Sequence, residues 1–447
     1  MTAPAPQVIH RQRWTDITKN AGASAVARIL AAVGGLAQVP FALSHLGPQA
    51  YGFWMTLTGI VTLLNIADLG LGIGLQNRMA VDYGRGENAA IIGLFRYGLR
   101  QLLVTALVAG PVFTLLIFRT DWAGWLNLTD PRLLPVVRNC LFTTLAGFCL
   151  NLPLTLAGRL ASAVQRAWLV PFWNCAAVLL QLAAIIALAK LDAGVTAYVG
   201  VFLAGLIFQN LAILLHLRAL LPWLRGPGLP PAVADRHHLR LTAIKFFAQQ
   251  ACATFTTSFL PVAISMFSGP VMVTQFNLLQ RLLGVLLQLQ WMAAAPLWPA
   301  YTEALARRDG VWIRRSFSAS LWFMAGLSAV FVAVAFAHTW LLHVWLGPNT
   351  VVIDSAFLAF SAVWFGGLLV SHPFAALLGG LGHAGGTATY WIATTVIFMA
   401  GTFWLGPAYG SLAVIGSAAV AMATVNVPGM VIEALVRYRR LAAILTR

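Results

Sequence analysis

Long apolar stretches recur along the whole chain, and they restrict its fold more than any other feature. Each runs for about 20 residues, enough helix at 1.5 Å per residue to cross a hydrocarbon core of about 30 Å. Of the 447 residues, 60% are apolar and 9% are charged, whereas about a quarter are charged in an average soluble domain. The sequence therefore predicts an all-α membrane protein.

Polar and helix-breaking residues divide these stretches into twelve predicted spans. Backbone groups in lipid must pair within their own segment, so each span is expected to be a helix. The predicted spans are Ala21–Ser44, Ala50–Leu75, Leu94–Phe118, Leu134–Ala157, Trp168–Ala189, Val195–Leu217, Thr242–Phe267, Val271–Leu297, Phe317–Ala337, Ala356–Leu378, Thr387–Leu405 and Ser411–Val431.

The longest polar insert lies at the midpoint of the chain and is rich in proline. We interpret it as a linker over 218–240 between two six-helix lobes. The N-terminal lobe is expected over 1–217, with a polar segment at 1–19, and the C-terminal lobe over 241–447.

The two halves carry similar signals about 222 residues apart. Gly47-Pro48 recurs as Gly269-Pro270, and GRGE at 84–87 resembles RRDG at 307–310. Because six spans per repeat is an even number, both halves would have the same topology, related by a pseudo-twofold axis along the membrane normal. Such a pair encloses a central cavity.

The net charge of +16 reflects membrane orientation. Most Lys and Arg residues fall in alternate loops, while the opposite loops hold only Arg119, Arg132, Arg138 and Lys190. This positive-inside pattern predicts that both termini are cytoplasmic. No segment combines basic residues with interleaved aromatics, so we expect no nucleic-acid partner.

Catalysis and metal binding have little support in the sequence. The four cysteines lie in apolar segments without metal-binding spacing, which favours small buried side chains over disulfides or a metal site. The 12 acidic residues include few plausible catalytic pairs. We therefore predict a transporter with no catalytic residues, no metal and no cofactor.

Several motifs point to one family. They are LGPQAYG at 46–52, DLGLG at 68–72, NRMAVDYGRGE at 77–87 and FNLLQRLLG at 276–284. With the twelve-span layout, they resemble the polysaccharide-exporter (O-antigen flippase) family of the multidrug/oligosaccharidyl-lipid/polysaccharide (MOP) flippase superfamily.

This resemblance implies two six-helix lobes in a V around a cavity. It implies a flippase that moves undecaprenyl-diphosphate-linked oligosaccharides across the bacterial inner membrane by alternating access, for surface polysaccharide synthesis. The expected partners are the lipid-linked oligosaccharide, membrane lipids and polysaccharide assembly proteins. The alternatives are an ion-coupled small-molecule or drug exporter of the same superfamily, and a membrane-embedded glycan polymerase or ligase.

The strongest candidate site residue is Arg281, ten residues into its predicted span and about 15 Å deep. An arginine at that depth usually faces a wet cavity or a partner. In one reading its planar guanidinium pairs with a diphosphate. In the other it fastens two helices by bonding carbonyls or a glutamine such as Gln249 or Gln250. One helical stripe joins it to Asn277, Gly284 and Gln288.

Four further polar residues are candidates, and three of them have two interpretations. Asn65 is predicted to belong to the matching cavity wall of the first half, and Asp68 to serve either a structural hydrogen bond or ion coupling. Arg28 either snorkels to the inner surface or lines the cavity. His372 is either an interhelical polar contact or a proton-coupling group.

The span assignment can be tested with reporter fusions. Fusions after Pro230 and after Asp309 should both report the cytoplasm, because both positions fall in basic loops on the predicted inner side. A periplasmic signal at either position would contradict the topology.

Overall fold

Helices account for the architecture of the computed structural model, which describes residues 6–68, 70–230, 233–294, 296–347 and 351–445. No strand occurs in these ranges. Side chains are described within them except at 6–23, 65, 67, 233–250, 299, 384 and 440–445.

Seventeen α-helices follow one another along the described chain. They are α1 (Pro6–Leu64), α2 (Leu71–Arg85), α3 (Asn88–Arg119), α4 (Trp122–Trp125), α5 (Val137–Leu154), α6 (Leu156–Ala163), α7 (Leu169–Lys190), α8 (Val195–Leu220), α9 (Val233–Ser268), α10 (Pro270–Ala294), α11 (Leu297–Ala306), α12 (Gly310–Phe336), α13 (His338–Leu346), α14 (Ser355–Gly380), α15 (Ala384–Tyr409), α16 (Ser411–Ala421) and α17 (Val427–Leu445). A 3₁₀ turn at Asn65–Asp68 precedes α2, and a π-helical turn at Met422–Asn426 joins α16 to α17.

Eleven helical segments of the described chain are long and apolar enough to cross a membrane. The first, Ser24–Leu64, has 41 residues and would be about 62 Å long as one helix, twice a hydrocarbon core. Gly47 interrupts it with φ 72° and ψ 169°. Large apolar side chains on the spans are exposed, such as Trp322 (79%) and Phe336 (86%), as expected where lipid is the solvent. The predicted all-α membrane class is confirmed.

The chain divides into two compact units. The first contains Met1–His45, Ala67–Arg119 and Arg138–Ile244, and the second contains Leu46–Ile66, Thr120–Val137 and Lys245–Arg447. These bounds differ from the expected lobes, because the second part of α1 packs with the C-terminal helices. The division into functional lobes at 1–217 and 241–447 stays a prediction.

Side-chain amides join the helices of the first unit. Gln38 Nε2 of α1 donates to the Val178 carbonyl of α7 (2.9 Å), and Asn210 Nδ2 of α8 donates to Asn151 Oδ1 of α5 (2.9 Å). In lipid, such bonds and close packing hold helices together, because apolar contact alone gives no advantage over lipid.

Part of the expected linker is packed against α3 in this unit. The Leu229 N–H donates to the Ala89 carbonyl (2.9 Å), and Arg96 donates to the Gly226 carbonyl (3.1 Å). A side chain at Gly93 would overlap the Leu229 carbonyl. The segment before α9 is therefore held along the N-terminal end of α3.

A tight helix crossing organises the second unit. The Gly52 Cα in α1 approaches the backbone of α10 so closely that a Cβ would overlap the Pro270 carbonyl oxygen. Thr274 Oγ1 of α10 donates to the Pro48 carbonyl (2.6 Å). Small residues at such crossings let two backbones meet. The LGPQAYG motif is therefore a packing element.

Backbone conformation repeats at the spacing seen in the sequence. Gly47 (φ 72°) and Gly269 (φ 78°) are both left-handed, and so are Gly86 (φ 75°) and Arg308 (φ 56°). Each pair is 222 residues apart. Left-handed backbone favours glycine, which explains why these turns left a detectable sequence signal.

Gly52→Ala should destabilise the protein by about 1–3 kcal/mol or more, because the added methyl meets a backbone carbonyl that cannot rotate away. Thermal unfolding in detergent measures the effect. Gly84→Ala is the matched control, since nothing lies within 4 Å of a Cβ there and alanine is the better helix former. Equal melting temperatures for the two variants would contradict the crossing.

Candidate functional site

A polar network surrounds Arg281 in the second unit. The Tyr51 hydroxyl donates to Asn277 Oδ1 (2.7 Å), and Arg281 Nε donates to the same oxygen (3.3 Å). The guanidinium also hydrogen-bonds the Tyr51 hydroxyl. Tyr51 is fully buried (1% exposed), whereas Asn277 and Arg281 are half-buried. Both of these partners are neutral, and they help to orient the guanidinium.

A cavity of about 330 Å³ opens beside α10 in the same unit. It is formed by α9, α10 and α14. Its polar lining consists of Thr257, Gln280, Gln288 and His372, and its apolar lining of Phe276, Gly284, Leu287, Trp291, Trp364, Phe365 and Leu368. No lining residue is a carboxylate, lysine or arginine. In the described residues, no cluster of three or more His, Cys, Asp or Glu could hold a metal.

His372 and Trp291 form one edge of this cavity. Their rings meet edge to face with centroids 5.4 Å apart. His372 Nδ1 is buried without a hydrogen-bond partner among the described residues. A buried polar atom without a partner costs free energy, and because this nitrogen is buried, a group bound in the cavity would reach it only after the imidazole had shifted.

The stripe predicted on α10 is divided between two surroundings. Gly284 and Gln288 line the cavity, whereas Asn277 and Arg281 bond Tyr51 and are not among its lining residues. Consecutive helical residues are about 100° apart. Gln280 lies in the cavity wall, and Arg281 is therefore turned to an adjoining face of the same helix.

Asp68 occupies a helix-capping position in the first unit. Its Oδ1 accepts from the Gly70 N–H (2.8 Å) at the start of α2, and Arg159 of α6 lies close enough for an electrostatic interaction. Gly70 is left-handed (φ 72°), and a side chain at Gly72 would meet both Asp68 and Arg159. This geometry favours the structural interpretation of DLGLG.

The remaining predicted residues are not among the described residues that line this cavity. Arg28 is half-buried on α1 within the first unit. Asn65 begins the 3₁₀ turn before α2, and Gln249 lies on α9. The side chains of Asn65, Gln249 and Gln250 fall outside the described residues, so the proposed glutamine partner of Arg281 stays a prediction.

Sequence reasoning missed Gln280, Trp291 and Tyr51. Gln280, Gln288 and Trp291 recur at i, i+8 and i+11, which puts them on one helix face, but only Gln288 was singled out. Tyr51 stood inside a recognised motif without an assigned role. Its bond to Asn277 joins residues 226 positions apart, which no local pattern reveals.

Comparison with solved structures identifies the fold. A multidrug resistance MATE family transporter of the MOP superfamily, in an inward-facing conformation, matches 95% of this chain and 99% of its own, with a TM-score of 0.68 and 13% identity. The lipid II flippase MurJ, in an inward closed conformation, matches 96% of this chain and 91% of its own, with a TM-score of 0.68 and 10% identity. The chain has the fold of MOP-superfamily transporters.

A MOP-superfamily transporter from Pyrococcus furiosus is also similar, with a TM-score of 0.60, 13% identity and coverage of 96% of this chain and 97% of its own. No family model matches the sequence, and no curated protein matches it in sequence. The similarity is therefore one of fold, and the polysaccharide-exporter assignment stays a prediction.

The network around Arg281 should behave as one energetic unit. Tyr51→Phe and Asn277→Ala should each cost about 0.5–1.5 kcal/mol, and the double variant should cost less than the sum, because both remove the same bond. Denaturant or thermal unfolding in detergent measures this coupling. Tyr51→Phe with Thr389→Ala is the control pair, since Thr389 bonds only its own helix at the Gly385 carbonyl. Additivity in the first pair would contradict the network.

Proposed function

We propose that this protein is a flippase for a lipid-linked oligosaccharide carried on a prenyl diphosphate. The supporting observation is the charge of its spans. Arg281 lies near the middle of α10, and Glu433 is the only acidic residue in the eleven candidate spans of the described chain. A cationic, nearly acid-free interior is suited to an anionic headgroup.

Charge compensation is what such a headgroup needs most. Moving an isolated ion into hydrocarbon costs tens of kcal/mol in the Born limit. A guanidinium offers five donors in a planar fork that matches phosphate oxygens. The Tyr51 and Asn277 bonds would hold that fork in place, so that less side-chain entropy is lost on binding.

The proposal includes twelve crossings with both termini in the cytoplasm of a bacterium. The interruption at Gly47 would divide the 41-residue first segment into two spans, which raises eleven segments to twelve crossings. The distribution of Lys and Arg between alternate loops supports the orientation. Rocking of two lobes would then expose the headgroup on the periplasmic side.

The competing function is ion-driven export of small cations, which the similarity to MATE transporters supports. Proton and sodium coupling inside membranes usually uses Asp, Glu or His side chains. Glu433 lies near the end of its span, in an ion pair with Arg437 (3.9 Å), and Asp68 accepts from the Gly70 N–H (2.8 Å), so His372 is the side chain through which an exporter would couple. The charge distribution therefore favours the flippase over a cation exporter.

Arg281→Ala should reduce transport by about 10- to 100-fold, because that factor corresponds to the free energy of a charge-assisted hydrogen bond. Complementation of a flippase-deficient strain, with a leaflet-specific readout of the accumulated lipid-linked glycan, measures this. Arg281→Lys should retain part of the activity, and Arg132→Ala, which removes an exposed loop cation, should retain all of it.

A further variant separates the two roles of Arg281. Tyr51→Phe breaks the helix contact and keeps the charge, so it should transport far better than Arg281→Ala. Equal loss in both variants would show that Arg281 only fastens helices. Wild-type transport by Arg281→Ala, with proton- or sodium-driven efflux of a cationic dye, would favour the exporter.

A further inference from the structure

The cavity beside α10 has a chemistry different from that of Arg281. Its polar groups are two carboxamides, one hydroxyl and one imidazole, and none of its lining side chains is a carboxylate, ammonium or guanidinium. Such a lining offers no charge to a diphosphate and no counter-charge to a cation. It is suited to an uncharged ligand with many hydroxyl groups.

The polar lining groups have unused hydrogen-bonding capacity. Gln280 and Gln288 each carry an acceptor and two donor hydrogens. The Thr257 hydroxyl donates to backbone carbonyls of its own helix at Ala253 and Thr254, which leaves its oxygen able to accept. His372 Nδ1 is buried and has no partner among the described residues. A ring bearing hydroxyls could pair with the Gln280 and Gln288 carboxamides and with the Thr257 oxygen.

Aromatic rings supply the other half of the lining. Trp364 is buried (1% exposed) and Trp291 is half-exposed (50%), while Phe276 and Phe365 stack with centroids 5.6 Å apart. Flat aromatic faces pack well against the C–H faces of a pyranose ring and bury a large apolar area. Of these four rings, Trp291 has the exposed area to pack against a sugar, and together with the amides it complements both sides of one.

The volume and one glycine limit the ligand to a small unit. About 330 Å³ lies at the lower end of small-molecule sites, which run from roughly 300 to 1,000 Å³. A Cβ at Gly284 would have nothing within 4 Å, so the glycine keeps part of the cavity open. One or two sugar rings would fill it.

We propose that this cavity binds an uncharged sugar unit of the lipid-linked glycan, through Gln280 and Gln288 and against Trp291. The inference rests on the proposed function and adds to it a sugar-recognition subsite separate from the cation. Gln280 and Arg281 are consecutive on α10, so the sugar and the diphosphate would be read by adjoining faces of one helix.

The test uses the full-length chain in lipid nanodiscs and two families of probes. Farnesyl diphosphate carries the charge alone, and its glucosyl, galactosyl and N-acetylglucosaminyl diesters add one sugar. The subsite predicts that at least one diester binds about 10-fold more tightly than farnesyl diphosphate, because two or more hydrogen bonds are added. Equal affinity for all four probes would overturn it.

Variants locate this sugar preference in the cavity. Gly284→Leu places an isobutyl side chain at a position where a Cβ meets nothing within 4 Å, and by occupying the cavity it should remove the preference, leaving farnesyl diphosphate affinity unchanged. Gln280→Met and Gln288→Met should each reduce the preference about 3- to 10-fold. Gln275→Met makes the same change on α10 at a residue that does not line the cavity, so it should leave the sugar preference intact. A preference that survives Gly284→Leu would place the sugar elsewhere and overturn the proposal.

Two more probes separate this inference from the proposed function. Octyl glucoside carries a sugar without a diphosphate, so its binding and its loss in Gly284→Leu would support the subsite even if no diphosphate bound. Diphosphate binding that depends on Arg281 without any sugar preference would support the flippase alone. The opposite outcome is that the protein binds tetraphenylphosphonium and not octyl glucoside, and that Gly284→Leu removes this binding. That result would overturn the sugar site in favour of a cation site.

Discussion

The close contact between the backbones of α1 and α10 is the constraint on which the candidate site depends. Helices in lipid gain no hydrophobic advantage by associating, so close packing and a few polar bonds decide which helices meet. Gly52 gives α1 the space to reach the Pro270 carbonyl, and Thr274 bonds the Pro48 carbonyl from the other side. Tyr51, one residue before Gly52, is thereby placed against Asn277.

The crossing links packing to electrostatics. Tyr51 and Asn277 are both neutral, and they restrict the Arg281 guanidinium without supplying an opposite charge. Pairing a buried arginine with a carboxylate would offset much of its charge and weaken its attraction for an anion. Tyr51 and Asn277 orient the side chain without adding such an opposite charge. The LGPQAYG motif, which the sequence suggested as a family marker, therefore has a physical role within the second unit.

Properties set by local sequence were predictable. Span length and apolar content indicated the helices, and Gly47 and Gly269 marked left-handed turns because glycine is the residue that adopts them readily. For Asp68, the sequence left open a structural hydrogen bond or ion coupling, and its bond to the Gly70 N–H favours the first. Short helices such as α6 and α11 fell almost entirely in the predicted loops, because eight to ten residues are too few to give an apolar stretch of span length.

Which neighbours each side chain contacts could not be predicted from the sequence of one helix. A stripe through Asn277, Arg281, Gly284 and Gln288 satisfies the helical period, but the period does not say which neighbour each residue meets. Tyr51 contacts Asn277 in the first part of the stripe. His372 of α14 lines the cavity together with Gly284 and Gln288 in the second part. Both come from distant positions, so their contributions depend on tertiary packing.

The separation of charge from neutral polar groups on α10 has a consequence for specificity. A single guanidinium attracts any diphosphate and cannot distinguish one glycan from another. Discrimination between sugars requires hydrogen bonds that a wrong hydroxyl arrangement leaves unpaired, which costs far more than the loss of an apolar contact. Under the proposed function, Gln280 and Gln288 would supply that discrimination, and their substitution would alter sugar choice while Arg281 kept the substrate class unchanged.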